Sequence, residues 1–295
     1  MAARARALAA VRAARLAGPA AAAATSRPLA GFATPSRSFS SSAPSSGPLS
    51  PLTRWAESML RRPAPAYATH VPLTPLEQSL VALGSSLIAL RAPWRGDMVA
   101  AVGETTRGAA LEPLLERMRS SAEGRRLLAE RPRVTEATLE RARRSPPGTF
   151  GAAYAHFMSS RRFSPDDRPA VRFVSDPELA YVIARMREIH DYWHTLFGCD
   201  TDVFGETALK AMEYTNTGVP MPGLAVLAGT TRVRGDVRRE LLDTYVPWGL
   251  RAGAAAGDLI AVEYEKRFDQ PIEELRRELG VVTAPRGHRN KFVGL

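Results

Sequence analysis

Apolar residues recur along most of this chain at intervals of three and four, the spacing of one helix face. Thr74-Pro75-Leu76-Glu77 opens the first such run: a threonine to cap, a proline at the first helical position and a glutamate that completes a capping box. The run predicts a helix to about Leu90, with Leu76, Leu80, Leu83, Leu87 and Leu90 on one stripe. A core-facing stripe is favoured over a membrane-facing amphipathic helix. Helical patterns continue through 94–144, with buried positions expected at Leu111, Leu114, Leu115, Met118, Leu127 and Leu128, and a segment capped by Thr135. Ser145-Pro146-Pro147-Gly148 breaks the pattern, a helix over 149–158 follows, and Val171–Val174 is a short stretch suited to extended backbone.

Ser175-Asp176-Pro177-Glu178 starts the most regular run of all. Leu179, Val182, Ile183, Met186, Ile189, Trp193, Leu196 and Phe197 form its apolar stripe, and Gly198 predicts its end. Asp200 and Asp202 are turn formers and caps, so a second helix should begin before Glu206 and run to about Thr217, stopped by Gly218 and Pro220. Val219–Gly229 carries no charge and suits either the core or the wall of a pocket for a greasy ligand. Further helices are expected over 236–251, 258–268 and 271–279. No repeat and no strand-rich region is present, which predicts an all-α fold: one helical-bundle domain over 74–280.

The ends differ from this middle. Residues 1–50 are rich in alanine and serine, carry Arg4, Arg6, Arg12, Arg15, Arg27 and Arg37, and no acidic residue occurs before Glu57. That composition is expected of a mitochondrial transit peptide over 1–40, cleaved near Phe39–Ser40, ahead of a Pro/Ser-rich lead-in over 41–73; an unstructured compositional tail is the bland alternative. The net charge of +10 falls to about +4 once those arginines are set aside. A balance so mild suits an anionic membrane surface and is no nucleic-acid footprint. A basic tail covers 281–295. The single cysteine, Cys199, excludes an internal disulfide and fits a reducing interior. No run of 18 apolar residues is present, so any membrane contact is expected to be peripheral.

Candidate chemistry concentrates in His190-Asp191-Tyr192-Trp193-His194, followed by Glu206. Residues four apart share a helix face, so both imidazoles can aim at one ion, and zinc and similar metals take imidazole and carboxylate ligands. In an unbroken helix Glu206 would lie about 18 Å further along the axis. The breakers at 198–202 return it toward the histidines, and the site is expected between two adjacent helices. A zinc peptidase would place glutamate where Asp191 stands. A His-Asp phosphohydrolase would need a distant His and Asp, for which His156 and Asp243 are the nominees, but it leaves His194 without a role. His156 reads as a packed residue and Cys199 as a turn residue beside the site.

The pattern H-D-x-x-H-x11-E resembles the signature of the mitochondrial ubiquinone biosynthesis protein 4 family. So do Pro147–Gly151, Val171–Val174, Asp176–Tyr181, Trp193–Leu196, Val203–Glu206, Val246–Trp248, Tyr264–Lys266 and Glu273–Gly280, spread over about 68–280. The resemblance implies an all-helical matrix protein, peripheral on the inner membrane, with other ubiquinone biosynthesis enzymes as partners in a multi-subunit complex. It implies a divalent metal, zinc first, at His190, Asp191, His194 and Glu206. It implies loss of the C1 carboxylate from a polyprenylated 4-hydroxy-3-methoxybenzoate; a non-catalytic metal- and lipid-binding scaffold of the complex is the alternative. The greasy tail would need a groove, for which Leu76–Leu90 and Val219–Gly229 are the candidate walls.

Overall fold

The computed structural model describes residues 50–285 apart from 52–54, 56–58, 93–94 and 107. The expected transit peptide and residues 286–295 of the basic tail lie outside the described residues. The fold is all-α, and among the described residues the only β pairing is an isolated bridge between Thr149 and Pro271.

The helices follow the apolar periodicity closely. They are α1 (Pro75–Arg91), α2 (Gly96–Thr105), α3 (Gly108–Ser120), α4 (Ala122–Glu130), α5 (Glu136–Ala142), α6 (Phe150–Arg161), α7 (Pro177–Phe197), α8 (Val203–Thr217), α9 (Pro220–Arg232), α10 (Gly235–Glu240), α11 (Val246–Ala255) and α12 (Ile272–Glu278). The central helix, α7, starts on the Asp176 side chain, which accepts from the amides of Glu178 and Leu179. Its predicted stripe is buried throughout, and it packs against α3, α6 and α8. Helix α8 also packs on α9 and α11.

Three expectations are corrected. The leucine stripe of α1 is not in the core: its five leucines are 47–61% exposed, while α1 turns Val81, Ala82, Ser85 and Ala89 inward. Small residues on the inner side let α1 lie close on α2, and that leaves the bulky side outward. The 258–268 segment is not an α-helix but two 3-10 turns, Leu259–Ala261 and Tyr264–Lys266. Between them Val262 is extended, and its carbonyl accepts from the buried Arg185 guanidinium at 3.0 Å instead of from a helix amide. The expected 236–251 helix is divided by a π-helical turn at Leu241–Tyr245.

The loop before α7 is tied to α2 by the buried Glu104, whose Oε2 accepts from the amides of Arg172 and Phe173 at 2.8 Å. Its Oε1 meets Arg187 of α7 at 2.8 Å. One carboxylate thus fixes the loop, α2 and α7 relative to one another. The lead-in is anchored as well: Tyr67 donates to the Val174 carbonyl at 2.8 Å, and His70 is buried.

Candidate metal centre

The turn between α7 and α8 builds the site. Gly198 closes α7 in the left-handed conformation, at φ 67°, which favours glycine, and Asp202 caps α8 through the amides of Phe204 and Gly205. The turn folds so tightly against the first turn of α8 that a Cβ on Gly205 would lie 2.0 Å from the Asp200 carbonyl oxygen. Glu206 therefore sits in the first turn of α8, facing the last turns of α7.

His190, His194 and Glu206 each bring one donor atom within 4.8 Å of the others. The two Nε2 atoms are 3.1 Å apart, and Glu206 lies 3.7 Å from His190 and 3.5 Å from His194. Both rings are held from behind. His194 Nδ1 is 3.0 Å from the Cys199 carbonyl, which can only accept, so the proton is on Nδ1 and the lone pair on Nε2 faces the cluster. His190 Nδ1 contacts the Glu213 carboxylate, which orients its ring in the same way. Glu213 is buried and in turn binds the Lys210 ammonium at 2.7 Å; that ammonium lies 3.3 Å from His190 Nδ1.

The electrostatics favour positive charge at the centre. Burial and the Lys210 ammonium oppose protonation of His190, yet the carboxylates of Glu213 and Glu206 outweigh them and lift its pKa to about 9. Burial opposes ionisation of Glu213 too, but Lys210 and His190 push its pKa down to about 2. Against the same penalty, His194 and His190 hold Glu206 well below the usual carboxylate range. With His190 protonated, its Nε2–H donates to the His194 Nε2 lone pair 3.1 Å away, so the centre holds one positive charge that a divalent ion would displace. This donor set fits a divalent ion, and the exposed edge of Glu206, 42% of its side chain, keeps one approach open.

Asp191, one residue round the helix from His190, lies outside this cluster and pairs with Arg168 from the loop before α7. His190, Asp191 and Arg168 face a cavity of about 500 Å³. Arg187, Lys210 and Glu213 also line it, as do the apolar Met158, Phe163, Met186 and Met221. The nominees of the phosphohydrolase reading stand apart from the cluster: His156 is exposed on α6, against the expectation of a packed residue, and Asp243 is exposed in the π turn. Cys199 is a buried turn residue, and burial raises its thiol pKa. Sequence reasoning missed Lys210 and Glu213, although Glu206, Lys210 and Glu213 at i, i+4 and i+7 trace one face of α8. It also missed Arg168, a loop residue that no spacing marks.

Comparison with known proteins gives the family. The family described as coenzyme Q (ubiquinone) biosynthesis protein Coq4 matches residues 67–285. The human ubiquinone biosynthesis protein COQ4 homolog, mitochondrial, is 42% identical over 223 residues, 75% of this chain and 84% of that protein. The bovine homolog is 43% identical over 221 residues, 74% and 83% of the two chains. The Coprinopsis cinerea protein is 40% identical over 229 residues, 77% and 79%. A crystal structure from Nostoc punctiforme matches with a TM-score of 0.56 and 24% identity over 70% of this chain and 99% of that one, which shows the fold alone. With a match across most of its length and relatives at 40% identity and above, the chain belongs to the coenzyme Q (ubiquinone) biosynthesis protein Coq4 family.

Proposed function

We propose that this protein, whose family places it in ubiquinone biosynthesis, is a metal-dependent carboxy-lyase. It removes the C1 carboxylate from a polyprenylated 4-hydroxy-3-methoxybenzoate. It works in the mitochondrion, as its named relatives do, peripheral on the matrix side of the inner membrane and in a complex with other enzymes of the pathway. Among the described residues no helix is long and apolar enough to cross a membrane.

The observation that carries the reading is the cavity, which His190 of the donor cluster lines together with Arg168, Arg187 and Lys210 and with Met158, Phe163, Met186 and Met221. Its volume of about 500 Å³ is in the range of small-molecule sites. An aromatic acid with a long hydrocarbon tail needs both charged and greasy groups in the lining.

His190, His194 and Glu206 would hold the ion, and Asp191 would join them as the fourth group only by giving up its pair with Arg168. A divalent ion there supplies fixed positive charge that stabilises a bound carboxylate or negative charge developing on the ring. Arg168 and Lys210 add cationic groups on the cavity side and orient an anionic head. Met158, Phe163 and Met186 exclude water from the ring face, which strengthens each of these interactions. When the C1–carboxylate bond breaks, its electron pair stays on the ring carbon, which takes up a proton as CO2 leaves.

The test is metal content and turnover on one sample. Bound metals are quantified by mass spectrometry, and CO2 release from a short-tailed 4-hydroxy-3-methoxybenzoate is followed before and after chelation. Near-stoichiometric metal with chelator-sensitive CO2 release supports the enzyme. Bound metal without CO2 release, on folded and lipid-supplied protein, favours the scaffold.

A further inference from the structure

The exposed leucines of α1 are not isolated. On α9, Leu224 and Leu227 are 56% and 63% exposed. The two helices meet at their C-terminal ends, where the Arg232 guanidinium donates to the carbonyls of Ala89 and Leu90 at 3.3 and 2.6 Å. Between Glu77 and Asp97, and between Glu213 and Asp236, the only charged residues are Arg91, Arg95, Arg232 and Arg234; Arg95 is paired with Asp97 at 2.7 Å and Glu77 with Arg62. Leucine and isoleucine on one side with arginines at the ends is the chemistry of a helix lying in a headgroup–acyl boundary. Arginines without intervening carboxylates match anionic headgroups.

The same elements wall the cavity. Gly96 and Val99 of α2, which packs on α1, line it together with Met221 and Ala225 of α9. Helix α9 is therefore apolar on two sides, with Met221 and Ala225 toward the cavity and Leu224 and Leu227 outward.

We propose that α1 and α9 form one docking face for an anionic bilayer, and that the cavity takes its lipid-tailed ligand sideways from the leaflet along α9. This rests on the peripheral-membrane reading above and names the surface that reading leaves unassigned. A tail then passes from lipid to cavity without crossing water.

The native Cys199 is buried, so a thiol-reactive, environment-sensitive dye reports an introduced cysteine. The probes are Leu83→Cys on α1, Leu227→Cys on α9 and, outside the face, the exposed Glu274→Cys on α12. Each is made in the full chain and mixed with phosphatidylcholine vesicles, with or without cardiolipin. Blue-shifted emission at positions 83 and 227 but not 274, dependent on cardiolipin, is the expected result. Leu83→Glu combined with Leu87→Glu should lower partition onto these vesicles by roughly tenfold or more. Vesicle binding with both dyes still in water overturns the face while leaving the peripheral reading intact. No vesicle binding overturns both. A blue shift that follows protein concentration without vesicles assigns the face to a second copy of the chain and overturns the proposal.

Discussion

His190 serves two neighbours through two nitrogens. Its Nδ1 is held by Glu213, and its Nε2 is thereby aimed at His194 and Glu206. Glu213 contributes no atom to the donor cluster, yet it sets the direction of a donor that belongs to it. Glu213→Gln keeps the shape and removes the charge, so it should lower metal affinity by roughly 10–100-fold while the fold persists. Calorimetric zinc titration with circular dichroism checks this; unchanged affinity would mean that the contact only packs. His190→Ala removes the donor itself. It should abolish CO2 release and most bound metal with little change in helical content, and a mutant with full turnover would remove His190 from the site. The three clustered residues were legible in the sequence because a four-residue spacing and a glycine-aspartate turn have fixed geometric meanings. Glu213 and Lys210 were hidden because a charge on an amphipathic helix ordinarily reads as a solvated face. Arg168 was hidden because a loop has no period.

At the scale of elements, close approach of backbones decides where α8 can sit. A Cβ at Gly249 of α11 would meet the Ala208 carbonyl oxygen at 2.3 Å, and one at Gly253 would meet the Met212 carbonyl oxygen at 2.3 Å. Two glycines four apart thus let α11 lie directly on the helix that carries Glu206, Lys210 and Glu213. Gly249→Ala should cost roughly 1–3 kcal/mol by forcing the pair apart, and Gly253→Ala a similar amount. Thermal melting measures the loss, and a neutral outcome would show that α8 can shift without penalty. Arg276 of α12 fixes the other partner: its guanidinium donates to the carbonyls of Leu196 and Thr195 at 2.7 and 3.1 Å, capping the end of α7. The α7–turn–α8 unit was readable because every breaker in it is local. The outward side of α1 was not, since periodicity marks an apolar stripe without saying what covers it. The failed 258–268 helix has a tertiary cause, because Arg185 claims the Val262 carbonyl.

The whole molecule closes around Arg185, which is fully buried on α7 and reaches the C-terminal part of the chain. Its guanidinium binds both oxygens of Glu265, at 2.5 and 2.9 Å, beside Val262. Around this pair pack Tyr154, Tyr192 and Tyr264, each buried and each with its phenol pKa pushed up by burial. Tyr154 and Tyr192 meet edge to face with centroids 4.5 Å apart, Tyr264 lies tilted against Tyr192 at 5.4 Å, and Tyr192 itself belongs to the helix that presents His190 and Asp191. A residue about 70 positions beyond the metal motif therefore fixes the platform on which the motif stands. Glu265→Ala leaves the guanidinium charged and unpaired in the core, and the expected cost is about 3–5 kcal/mol. For a domain of this size that lowers the melting temperature by roughly 10 °C or more. Replacing both partners, Arg185→Met with Glu265→Leu, removes the stranded charge and should recover most of the loss, because well-packed apolar residues often equal a buried ion pair. Differential scanning calorimetry of the two variants decides the matter. If the single change is mild, Arg185 reaches solvent and the pair is not the lock. If the double change is as damaging as the single one, the Val262 carbonyl contact rather than the charge pair holds the C-terminal part in place.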